Sequence, residues 1–139
     1  MPFKSLGGIK MLKETIICIV IAIAIIFGNN VTQNYTKESI QELSGTLQNL
    51  REDLLKGQVE NDNLENGLKK IERDWKKRHD ILAFYIEHNE LEKIETGLTA
   101  MKSYIKTKKY EDSISEVDKS IFLLKHIEDK YSFNLQNIL

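Results

Sequence analysis

From Ile16 to Phe27 the chain reads Ile-Ile-Cys-Ile-Val-Ile-Ala-Ile-Ala-Ile-Ile-Phe, with no polar side chain anywhere in the run. A helix made of these residues is apolar on every face. A chain of 139 residues has too little else to cover it all round, whereas lipid covers it at no cost in backbone hydrogen bonds. About 20 apolar residues span a bilayer core. Met11, Leu12 and Thr15 before the run, and Gly28 and Val31 after it, lengthen it toward that value, and Lys13 can snorkel. The run predicts a single-pass anchor over residues 11–31, with Ile16, Ile17, Ile19, Val20, Ile21, Ile23, Ile25, Ile26 and Phe27 facing lipid.

The rival reading is a cleaved signal peptide, since Lys4, Lys10 and Lys13 precede the run. The small-x-small cleavage pattern is poor, because Ile26 occupies a small position if Gly28 ends the leader. The same lysines orient an anchor. Only Lys37 follows within twenty residues, so residues 1–10 are expected in the cytoplasm and residues 32–139 outside it. Met11-Leu12-Lys13-Glu14 also reads as a natural start, with residues 1–10 as an extension. The one cysteine, Cys18, lies inside the run. That excludes an internal disulfide framework, and Ile17 before it argues against lipidation.

Beyond residue 32 the pattern is helical throughout. Pro2 is the only proline, and Lys, Glu, Leu and Ile dominate. Ile40, Leu43, Leu47, Leu50 and Leu54 make one stripe at steps of three and four, with Thr36 as expected N-cap and Gly57 as stop. A second stripe runs Leu64, Leu68, Ile71, Trp75, His79, Leu82, Ile86. Its end, Ile81 to Ile86, is apolar all round and is expected at the centre of the domain. Glu87 to Glu90 suit a tight turn. Leu91, Ile94, Leu98, Met101 and Ile105 make a third stripe, and Lys106 to Lys109 a basic connector. Ile114, Val117, Ile121, Leu124 and Ile127 make a fourth, widened by Leu123. The apolar tail Ser132 to Leu139 is expected to fold back on the helices. The fold class is therefore all-α: an N-terminal transmembrane helix, then a small antiparallel bundle of about four helices. Trp75, Leu82, Ile94, Leu98 and Ile121 are the expected core.

The start at Met11-Leu12-Lys13, the Ile-rich span, Trp75, Phe84-Tyr85-Ile86-Glu87-His88, the Ile94/Leu98/Ile105 stripe and the final Asn137-Ile138-Leu139 together resemble the bacterial family catalogued as domain of unknown function 4363. The resemblance covers nearly the whole chain from Met11 and is carried by the order of the motifs. It implies a short membrane-anchored protein of Gram-positive, spore-forming bacteria. It brings no activity and no catalytic residues, and Trp75 and His88 match its pattern most visibly.

Candidate chemistry is sparse. His79 on an apolar stripe reads as a packed core-edge histidine, and His88 as a turn or cap residue. His88 and Glu92 could share a helix face, but no second histidine is near and zinc needs about four converging ligands. There is no Gly-x-Ser-x-Gly turn, and Gly7-Gly8 is too short for a phosphate loop. Lys69, Lys70, Arg73, Lys76, Lys77 and Arg78 form a basic cluster interleaved with Glu72 and Asp74, which reads as a solvated face with pairs such as Glu72–Lys76. With a net charge of −1, nucleic acid is not an expected partner. Asn30-Val31-Thr32 and Asn34-Tyr35-Thr36 match the glycosylation pattern but carry no meaning in a bacterium.

The expected function is a non-enzymatic helical interaction domain held at the membrane, without cofactor or metal. Its expected partners are the lipid bilayer, through residues 11–31, and another membrane or envelope protein. The alternative is an extracytoplasmic small-ligand or metal binder with a pocket at Trp75, His79 and Tyr85.

Overall fold

The structure, a computed structural model, describes the backbone of residues 3–57 and 61–136 and the side chains of residues 7–57 and 62–132. Four helices account for nearly all of it: α1 (Phe3–Leu55), α2 (Asn61–Leu82), α3 (His88–Lys106) and α4 (Tyr110–Gln136). They fall into two compact units, Met1–Asn34 and Tyr35–Leu139.

In the first unit α1 is long and apolar enough to cross a membrane, and none of its most apolar stretch is buried. A buried helix of a soluble core would be covered here. The backbone is satisfied within the helix, and the Thr15 and Thr32 hydroxyls donate to the carbonyls of Met11 and Gly28, each at 2.8 Å. These two hydroxyls are thus satisfied within the helix, without water.

Cross-helix contacts define the second unit. The Arg78 guanidinium donates to Ser39 Oγ at 2.8 Å and pairs with Glu42, and Gly67 lies against Leu50, so α2 runs antiparallel to α1. Lys102 pairs with Glu72 between α3 and α2. Lys130 meets Glu87 and Glu90 at 2.9 Å each between α4 and α3. Arg51 reaches Asp118 at 2.6 Å, and Gln41 reaches Glu128 at 3.0 Å, between α1 and α4. Each helix thus lies beside its chain neighbours and α4 closes against α1. This is an up-down-up-down four-helix bundle. Its core takes the expected stripes: Ile40, Leu43, Leu47 and Leu50 from α1, Leu64, Leu68, Ile71 and Trp75 from α2, Leu91, Ile94 and Met101 from α3, Val117, Leu124 and Ile127 from α4.

Three sequence expectations need correction. Thr36 is no N-cap. It lies inside α1, buried on the same face as Ile40 and Leu43. Nothing between Val31 and Ile40 breaks a helix, so the apolar run and the first stripe share one. The apolar end of the second stripe is not the centre of the domain either. α2 stops at Leu82, and Ala83 to Ile86 tighten into a turn, with Tyr85 N–H donating to Leu82 O at 2.9 Å. Leu82 and Ile86 point inward, whereas Ile81, Phe84 and Tyr85 are exposed. The turn therefore comes earlier than expected, and α3 already begins at His88. Finally, Glu72 pairs with Lys102 of α3 rather than with Lys76. The tail helix continues through Gln136, while the side chains from Phe133 onward, and with them the expected fold-back, lie outside the described residues.

The other connectors follow backbone chemistry. Gly57 sits at φ 62 just past α1, where a residue without Cβ takes the left-handed conformation freely. After α3 the same position is held by Lys108 at φ 59. Lys109 N–H donates to Tyr104 O at 2.8 Å and Lys108 N–H to Ile105 O at 3.0 Å, a Schellman closure without its usual glycine.

Candidate functional site

Two surfaces carry what chemistry this chain has. The first is the apolar stretch of α1. Ile16, Ile17, Ile19, Val20, Ile21, Ile23, Ile25, Ile26 and Phe27 are all more than half exposed, and Cys18 is exposed beside them. Among the described residues these side chains, bare on every face of a helix, make the largest exposed apolar surface.

The second is the outer surface of the bundle, where ion pairs join the helices: Arg51–Asp118, Arg78–Glu42, Lys102–Glu72, and Lys130 with Glu87 and Glu90. The most developed cluster clasps α4 to the start of α3. Two carboxylates hold the Lys130 amine well above the ordinary lysine range. The Glu87 carboxyl is lowered in turn, chiefly by its hydrogen bond with Lys130. The Tyr131 hydroxyl accepts the Glu87 N–H at 3.0 Å, supplying a partner at a helix start that has no side-chain cap. Burial pushes the Tyr131 phenol up. Acidic groups at a helix N-terminus are also where the peptide dipoles favour them. These features describe a clasp between α3 and α4.

The expected core residues Trp75, Leu82, Ile94 and Leu98 are buried, and Ile121 is half-buried against the same cluster. His79 is partly covered, with its ring edge-on to Trp75 at 5.4 Å and Nδ1 3.4 Å from Asp80 Oδ1. His88 is exposed at the first position of α3. The aromatic neighbour of Tyr85 is Phe84, at 6.5 Å between ring centres. Two hollows between described residues are lined by Gly97, Glu116 and Ser120 and by Leu68, Lys102 and Tyr110. Among the described residues no three of His, Cys, Asp or Glu come together in a way that could hold a metal ion. In the basic cluster Lys69 pairs with Glu65 at 2.7 Å and Arg78 with Glu42, while Lys70, Arg73, Lys76 and Lys77 are exposed.

Sequence reasoning missed the exposed turn at Phe84 and Tyr85, because apolar residues beside a buried stripe read as core. It also missed the close approach of α3 and α4 at Gly97, which no pattern of spacing marks.

A family model described as Domain of unknown function (DUF4363) matches residues 30–138. No curated protein matches the chain, and no solved structure does.

Proposed function

The chain belongs to the family described as Domain of unknown function (DUF4363), and on that premise we propose that it is a single-span membrane protein presenting a non-enzymatic helical interaction domain outside the cytoplasm. Residues 11–31 are the anchor, residues 1–10 lie in the cytoplasm, and the partner of the bundle is another membrane or envelope protein. The observation that carries this reading is the contrast between the two units. The α1 stretch is wholly bare, whereas the bundle has a buried apolar core and ion pairs such as Arg51–Asp118, Arg78–Glu42 and Lys102–Glu72 joining its helices. A bundle of this kind works through its outer surface. The lysines ahead of the apolar run support the orientation.

The test is photo-crosslinking from exposed positions of α3 and α4 in the full chain in its own membrane. Adducts of protein mass from a restricted set of positions support the reading. Absence of adducts at every position, with the protein membrane-bound, overturns the interaction role.

A further inference from the structure

We propose that the α2–α3 turn, through Phe84 and Tyr85, docks into the headgroup–acyl boundary of the bilayer that residues 11–31 cross. The proposal rests on the anchor reading above. It starts from the register of the bundle. Arg78 is bonded to Ser39 across α2 and α1. One helical turn further, Leu82 comes level with Tyr35, and the Ala83–Ile86 turn closes that end. Tyr131, bonded to the Glu87 N–H, brings α4 to the same end.

That end is tethered to the membrane by chain length alone. Tyr35 follows the anchor by four residues, so whatever path the chain takes, it stays within about 14 Å of residue 31. The opposite end, beside Gly57 and Lys108, is about 30 Å further along the bundle. Among described residues the large apolar side chains exposed on the bundle are Leu55, Ile81, Phe84, Tyr85 and Phe122. Leu55 belongs to the far end and Phe122 to the middle of α4. Ile81, Phe84 and Tyr85 fall within five residues at the tethered end, and Phe84 is 82% exposed.

The shape and chemistry suit lipid rather than a pocket ligand. The patch is a convex turn, not a groove. Phe84 supplies a fully apolar ring, and Tyr85, tilted 60° against it, adds a ring with a polar tip. Aromatic side chains of this amphipathic kind collect at membrane interfaces.

The test uses the full chain carrying Cys18→Ser, reconstituted in phosphatidylcholine–phosphatidylglycerol vesicles. A nitroxide is placed at one position at a time through Ile21→Cys, Phe84→Cys or Leu55→Cys, all exposed sites. Its collisions with oxygen, which concentrates in lipid, and with a water-soluble nickel chelate are compared. The expected result is an oxygen-to-nickel ratio at position 84 between the high value at 21 and the low value at 55. A ratio at 84 equal to that at 55, with 21 in lipid, overturns the docking and leaves the anchor standing. A low ratio at 21 overturns both. Spin–spin broadening at 84 would place a second copy of the chain on the turn, and also overturns the proposal.

Discussion

A Cβ built on Gly97 would stand 2.7 Å from Ser120 Oγ, so α3 and α4 meet there with no room for a side chain. Ser120 is fully buried and its hydroxyl has no hydrogen-bond partner. The Ser120 Cβ, by contrast, lies at an ordinary 4.0 Å from the same point. The obstacle is therefore one hydroxyl, and the two positions are energetically coupled.

Gly97→Ala is accordingly expected to lower the melting temperature of the native chain. In a Ser120→Ala background it is expected to raise it, by the roughly 1 kcal/mol that alanine gains over glycine inside a helix. A double-mutant cycle by thermal melting measures the coupling. Equal effects in both backgrounds would show that the hydroxyl simply rotates aside.

Lys108 holds a left-handed conformation that costs an ordinary residue about 1–2 kcal/mol. Lys108→Gly should remove that cost and keep the closure of the turn. A gain of about 1 kcal/mol shifts melting upward by about 4–8 °C in a domain of this size. A lower melting temperature would mean that the glycine's extra freedom in the unfolded chain outweighs the relief.

Trp75 is buried in line with Leu68, Ile71 and Leu82. Trp75→Ala should cost about 3–5 kcal/mol, a large part of the roughly 5–15 kcal/mol a domain possesses. His88→Gln, at an exposed helix start, should stay within about 0.5 kcal/mol. Urea unfolding of both variants checks this. If His88→Gln leaves stability intact but abolishes the phenotype that deletion produces, a site built on that histidine displaces the interaction reading.

The Lys130 clasp predicts a pH dependence of definite sign. The Glu87 carboxyl is lowered in the fold, so its contribution is present above the ordinary carboxylate range and lost as pH falls through the folded value. Lys130→Gln should therefore be less stable than the native chain at around pH 7, and the gap should shrink as pH falls below the ordinary carboxylate range. The pair is solvent-exposed, so added salt should narrow the gap as well. A gap that persists in acid would assign the effect to packing of the lysine stem.

The stripes were legible because burial on a helix repeats every three or four residues, as Ile40, Leu43, Leu47 and Leu50 display. Element ends were less so. Threonine serves equally as cap and as small interior residue, and Thr36 proves to be the latter. The end of α2 carries no glycine or proline, so the turn at Ala83 left no mark in composition. Lys108 occupies a position that ordinarily announces itself by glycine. Of the candidate site, the apolar run of α1 was plain from its composition. The exposed Phe84 and Tyr85 were not, since they read as a continuation of the α2 stripe until the chain turns at Ala83.

Residues 11–31 are proposed to hold the bundle outside the cytoplasm, and labelling with a membrane-impermeant maleimide checks this. The full chain carries Cys18→Ser and either Lys10→Cys or Phe122→Cys, the latter at a side chain 70% exposed on α4. In intact protoplasts position 122 should label at once and position 10 only after lysis, with both chains retained by alkali-washed membranes. Labelling of position 10 alone would reverse the topology, and a shortened chain released in soluble form would replace the anchor by a cleaved signal peptide.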